Sequence, residues 1–192
     1  LKHIGYMPGN AQGQASAPPP ADLLCYNFRA TGFQAVILQD QLQGLIPRIE
    51  QYERNLTRLR QWLADTPGVR LQSPGRRATR QGIYAVAIIF DGEITRQVPR
   101  KVLADALAAE GLTVGPTYGP VYQHRLYNVA PSQYRIAPAG CLVAETIGSD
   151  RAFQIIHNWF TAPDDQLRQI ADILIKVTAE AQTLLTYQPV PV

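Results

Sequence analysis

The chain has 192 residues, 46% hydrophobic and 17% charged, with 15 prolines and 14 glycines, enough for one or two domains whose core needs no metal or disulfide staple. Its 18 basic side chains exceed the 15 acidic ones by three, and they are lopsided: 15 arginines stand against only Lys2, Lys101 and Lys176. Collagen-like, membrane-spanning and disulfide-rich classes are excluded, because the longest apolar run, Ile83–Phe90, is far too short for a bilayer and Cys25 and Cys141 lack CxxC spacing.

Residues 1–22 differ from the rest. The stretch 9–21 reads GNAQGQASAPPPA, with no periodic apolar face, and its three prolines favour an extended linker or surface loop. At Thr31 the pattern turns helical. Thr31-Gly-Phe-Gln34 fits a capping box, in which hydroxyl and amide satisfy free backbone N–H groups. Phe33, Val36, Ile37 and Leu42 follow at helical spacing, and Gly44 and Pro47 are expected to interrupt that helix. Pro47 then opens a second helix, with Ile49, Tyr52, Leu56, Leu59 and Leu63 on one stripe, closed by Gly68.

The next basic cluster is Arg70, Arg76, Arg77 and Arg80, around Ser73-Pro74-Gly75. It holds no aromatic residue on which a base could stack, so a solvated loop is expected and a nucleic-acid partner is not. Residues 83–90 (IYAVAIIF) predict a strand, and Asp91-Gly92 supplies turn chemistry after it. Pro99 opens a helix with Val102, Leu103, Ala106 and Leu107 inward and Gly111 as its stop. A short strand is predicted over 112–117. Residues 118–138 read as irregular, a short helix as 141–147 and a β-like run as 152–157. Thr161 and Asp164 are expected to cap a last helix reaching about Leu185, with Leu167, Ile170, Leu174, Val177 and Ala181 inward. The fold class is α+β, a small sheet covered by helices.

Generic catalytic machinery is absent from the sequence. There is no P-loop, no GxGxxG turn, no HExxH helix and no GxSxG elbow. Its three histidines lie far apart, so no metal site is expected. Cys141 reads as a small buried hydrophobe.

Two segments rise above this background. Asn27 and Arg29 just precede a capped helix, where amide and guanidinium donors can hold a phosphate or carboxylate; stabilisation of their own loop is the other reading. The run 115–124 (GPTYGPVYQH) sets Tyr118, Tyr122 and His124 on a non-repetitive loop, either for binding or pinned against the core. His157 reads as a core histidine or a site residue.

At these residues the chain resembles the DegT/DnrJ/StrS family of pyridoxal-phosphate aminotransferases of sugars and aminocyclitols. Residues 27–35 (NFRATGFQA) and 37–42 (ILQDQL) resemble that family's NxRMTxFQAAI…QL segment. The likeness continues in order through 66–69 (TPGV), 84–88, 103–111, the loop 118–124 and His157, covering about 23–177. Ala30 departs from the family's usual Met or Leu, which bears on local packing.

The resemblance implies the small C-terminal domain of a fold-type I enzyme, its sheet mainly antiparallel. A linker remnant over 1–22 and an NxR segment with connecting helix over 23–46 would precede the small domain over 47–192. None of Lys2, Lys101 and Lys176 matches the family's Schiff-base lysine, which lies upstream of NxR, so no catalytic residue is expected in this chain and the chain alone is expected to be inactive. Asn27 inherits contact with the cofactor phosphate of a partner subunit, and Arg29 a supporting role beside it. Tyr118, Tyr122, His124 and His157 inherit the substrate entrance. The implied whole is a cytoplasmic homodimer that aminates a keto-sugar or keto-cyclitol using pyridoxal phosphate, with glutamine or glutamate as donor. Neither nucleic acid nor membrane is an expected partner. The alternative is a stand-alone, non-catalytic dimerisation or interaction module derived from that family.

Overall fold

The computed structural model describes residues 30–133, 135–136 and 139–186; Asn27 and Arg29 lie outside them. The chain divides into two compact units, Leu1–Ile46 and Pro47–Val192.

In the first unit the capping box forms as the sequence predicts. The Thr31 amide donates to Gln34 Oε1 at 2.8 Å, and the Gln34 amide to Thr31 Oγ1 at 3.3 Å. It starts helix α1, Gly32–Trp62, which continues through Pro47. The expected break into two helices is therefore corrected. Proline's fixed φ suits a helix, and what the chain loses at Pro47 is one N–H bond to residue 43. Phe33, Val36, Ile37, Leu38, Leu42, Leu45 and Ile46 are all exposed. At 100° per residue they fall on every side of the helix, a pattern that belongs to an enclosed helix.

The second unit is built on a four-stranded antiparallel sheet of β1 (Val69–Leu71), β2 (Ala85–Phe90), β3 (Gly115–Pro116) and β4 (Ala152–Ile156), in the order β1-β2-β4-β3. Register sets Val86 opposite Ile155 and Ile88 opposite Phe153, and all four are buried on the core face. Ala85, Ala87 and Gln154 alternate onto the other face. The core face meets Leu56 and Leu59 of α1, Leu103 and Leu107 of α3 (Arg100–Ala109), and Leu167, Ile170 and Leu174 of α5 (Asp164–Ala179). Each of these leucines and isoleucines is at most 2% exposed. Asn55 and Thr178 are polar residues buried with this core, and Asn55 ties two elements together. Its Nδ2 donates to the carbonyls of Phe160 and Ala162 at 2.9 and 3.2 Å, tying α1 to the turn before α5.

Three other local expectations are corrected. Asp91 begins a short helix, α2 (Gly92–Gln97), by accepting the Glu93 and Ile94 amides on its side chain. Thr161 does not cap α5. It closes the 3₁₀ turn His157–Thr161 by donating to the Asn158 carbonyl, and Pro163 holds the cap position. That helix ends at Ala179, short of Leu185, because Glu180 leaves helical geometry, and a 3₁₀ turn, Thr183–Thr186, follows.

Candidate functional site

The loop after β3 has little repetitive structure, 3₁₀ turns at Val121–Gln123 and Pro131–Gln133, and two contacts hold its first part among the described residues. The first is Thr117. Its hydroxyl donates to the carbonyls of Gly148 and Ala152 at 3.2 and 3.4 Å. Gly148 opens no gap there, since a Cβ on it would stand 3.2 Å from the Tyr118 carbonyl oxygen and from Gly119 Cα. The second point is Tyr122, whose hydroxyl donates to Glu145 Oε1 in α4 (Leu142–Thr146). The Cys141 amide donates to the same hydroxyl at 3.1 Å and to the same carboxylate oxygen at 3.0 Å. This hydrogen bond to Glu145, followed by burial, pushes the Tyr122 hydroxyl up from 10.0 to about 12.

The π-helical turn Ile147–Arg151 that receives the loop is itself clasped by Arg100. The Arg100 guanidinium donates to the carbonyls of Gly148, Ser149 and Ala152 at 3.2, 2.7 and 2.9 Å, and lies 5.2 Å from the Phe153 ring centre.

Between the loop and the free face of the sheet is an open cleft of ≈ 430 Å³, lined among others by Gln72, Ala87, Thr117, Tyr118 and Gln154. Among the described residues, Tyr118 is the only titratable side chain on it. Amides, hydroxyls and small apolar groups of this kind can hold a neutral polyhydroxy molecule by paired donors and acceptors. They offer no base or nucleophile.

The sequence-predicted residues fall into three groups. Tyr118, Tyr122 and His124 share one loop; Tyr118 is 80% exposed, and His124 Nδ1 accepts the Leu126 amide at 3.2 Å, which places the ring proton on Nε2. His157 is elsewhere. It follows the far end of β4, roughly 15 Å along the strand from the Thr117 anchor. There its backbone amide and Nδ1 both meet the Tyr84 carbonyl, at 3.0 and 3.2 Å, with the Tyr52 and Tyr84 rings about its own. Asn27 and Arg29 lie outside the described residues.

Cys141 is exposed at the start of α4, contrary to the expected burial. Its amide is tied down while its thiol fills no core position. Sequence reasoning also missed Glu145, Arg100 and Gly148. Nothing local marks them, because each acts on residues 23 to 52 positions away or across a backbone approach.

Both described lysines are engaged, Lys101 with Asp105 and Lys176 with Glu110, each at 2.7 Å. Among the described residues no group of three or more His, Cys, Asp or Glu side chains can hold a metal, and no helix is long and apolar enough to cross a membrane. The arginine cluster is exposed, with Arg70 on β1 and Arg80 paired to Glu50 at 3.1 Å.

The sequence is 33% identical over 118 residues to an L-glutamine:2-deoxy-scyllo-inosose aminotransferase of Streptomyces paromomycinus, a match covering 60% of this chain and 27% of that one. An enzyme of the same name from Streptomyces lividus is 30% identical over 127 residues, 66% of this chain and 29% of that one. Among solved structures, 3-amino-5-hydroxybenzoic acid synthase shares the fold, with a TM-score of 0.68 at 23% identity over 92% of this chain and 46% of that chain. The match thus spans less than half the length of each of these relatives. The sequence profile of the DegT/DnrJ/EryC1/StrS aminotransferase family matches residues 6–174, and the chain belongs to that family.

Proposed function

We propose that this chain is the C-terminal part of a pyridoxal-phosphate aminotransferase that aminates a keto-cyclitol or keto-sugar with nitrogen from glutamine or glutamate. The observation that carries this reading is the family match over residues 6–174, joined to relatives named for glutamine-dependent amination of 2-deoxy-scyllo-inosose. That ketone is the first substrate to test.

The described residues do not fit the cofactor. Pyridoxal phosphate supplies an electron sink for amino transfer when it is bound through a lysine, and here Lys101 and Lys176 are both ion-paired on helices. The chain's part is therefore to bind and orient. Tyr118 presents a phenol at the neutral cleft, and His124, further along the same loop, presents an imidazole N–H, a chemistry suited to hydroxyl groups of a cyclitol. Asn27, with Arg29 beside it, reaches the cofactor phosphate across a dimer interface, and His157 serves the entrance from a position the loop does not share. In the complete enzyme Asn27→Ala weakens cofactor affinity; an unchanged affinity overturns that assignment.

The exposed apolar residues between Phe33 and Ile46 favour one further reading, a module that only dimerises or docks. Borohydride treatment of the chain with the cofactor present tests the first reading at the lysines. Cofactor trapped on a lysine of this chain overturns the division of labour proposed above. A reading frame that encodes no large domain upstream favours the docking module.

A further inference from the structure

Glu145 has no part in the roles above, yet its carboxylate is where three pieces of backbone meet. Tyr122 comes to it from the loop, Cys141 from the turn before α4, and Glu145 itself from the helix. The turn is shaped for it. Gly140 sits at φ +75°, and a Cβ on Gly140 would lie 2.5 Å from Glu145 Oε1, so only glycine leaves the carboxylate its seat. Around it the loop has little apolar anchorage, since Tyr118, Val121 and Leu126 are each more than 70% exposed. A carboxylate accepting a hydroxyl and an amide is worth more than a neutral acceptor in the same place. Among the described residues, this one side chain and Thr117 are therefore tethers of the loop's first part.

We propose that Glu145 is the positioning residue of the substrate entrance: it holds the 118–124 loop through the Tyr122 hydroxyl and the Cys141 amide, so that Tyr118 and His124 face the incoming ketone as a preset pair. This rests on the reading of that loop as the entrance. It also reassigns Tyr122, whose hydroxyl hydrogen is committed to Glu145, from substrate contact to strut.

Hydrogen exchange of the 118–124 amides in the 192-residue chain tests the tether. Kinetics of the complete enzyme with 2-deoxy-scyllo-inosose and glutamine test its consequence. Glu145→Ala speeds loop exchange by about tenfold and raises KM for the ketone by about as much, with kcat held within about twofold. Glu145→Gln, which keeps an acceptor oxygen, recovers most of both, and so guards against a general loss of folding. Unchanged loop exchange in Glu145→Ala overturns the proposal. Faster exchange with unchanged KM leaves the tether standing and overturns the entrance reading instead.

Discussion

The Glu145 carboxylate accepts the hydroxyl hydrogen of Tyr122 from 23 residues away in sequence. A largely irregular segment thereby gains a fixed place without burying much of itself. Apolar burial holds the sheet and its helices; a polar clasp holds the loop. The difference matters because polar clasps respond to pH and to single-atom changes in ways that a packed core does not.

The first consequence is an alkaline limit. Tyr122 titrates near about 12 in the folded chain and near 10.0 when unpaired, so the folded state holds this proton more tightly than the unfolded one. The associated stability is fully present below pH 10 and is lost as pH rises towards about 12. Urea midpoints of the wild-type chain and Tyr122→Phe should differ by a constant amount below pH 10, and the wild-type advantage should shrink above it. A difference that persists unchanged to about 12 would mean that the hydroxyl is not held by Glu145.

Backbone approach gives the second prediction. The Cβ of Gly148→Ala would stand 3.2 Å from atoms of Tyr118 and Gly119 that are main chain and cannot rotate away. Overpacking of this kind costs about 1–3 kcal/mol. A Cβ on Gly119 itself meets nothing within 4 Å, and its φ is ordinary. Gly119→Ala should be neutral or stabilising by up to about 1 kcal/mol, through the unfolded chain. Denaturation midpoints of the two variants give the comparison, and equal losses would contradict the seat.

What the sequence disclosed follows from the range over which each interaction acts. Thr31 and Gln34 are three residues apart, and their capping box was readable as written. The buried alternation of Val86, Ile88 and Phe90, and the inward stripe from Leu167 to Ala181, were likewise visible as local periodicity. Helix α2 was hidden because Asp91 uses the same side-chain geometry to cap a helix as to make a turn. The continuity of α1 through Pro47 was hidden because proline's φ fits both a helix start and a helix interior. At the candidate site, the shared loop of Tyr118, Tyr122 and His124 is legible in the sequence, while Glu145 and Arg100 are not. No pattern links an acid in α4 to a tyrosine before it, or an arginine in α3 to carbonyls 48 to 52 residues on.

Asn55 provides a test of the core that is independent of the loop. Its amide is the donor for two carbonyls, of Phe160 and Ala162, at a position only 5% exposed. Asn55→Leu keeps the branched outline but leaves both carbonyls without that donor, at a cost of about 1–3 kcal/mol. Asn55→Asp should be no better, since it replaces the donor with acceptors facing carbonyl oxygens. Urea unfolding followed by far-ultraviolet circular dichroism measures both. A stability within error of wild type for the leucine variant would mean that the turn before α5 satisfies itself.

Arg100 links the core to the loop, and its replacement should affect both. One planar guanidinium donates to the carbonyls of Gly148, Ser149 and Ala152 while lying over the Phe153 ring. Lysine cannot reproduce this, because its ammonium is a point donor on a flexible stem and does not reach divergent carbonyls in a plane. Arg100→Lys should therefore lose about 1–2 kcal/mol, and Arg100→Ala about 2–3 kcal/mol. The larger effect is positional. Thr117 reaches the same Gly148 and Ala152 carbonyls, so when the turn relaxes the loop loses its anchor at Thr117 while the bond from Tyr122 to Glu145 remains. Amide exchange should accordingly rise at Thr117 and Tyr118 in both Arg100 variants, with Tyr122 and Cys141 near wild type. A uniform rise from Thr117 to Cys141 would show one cooperative unit in place of two anchors.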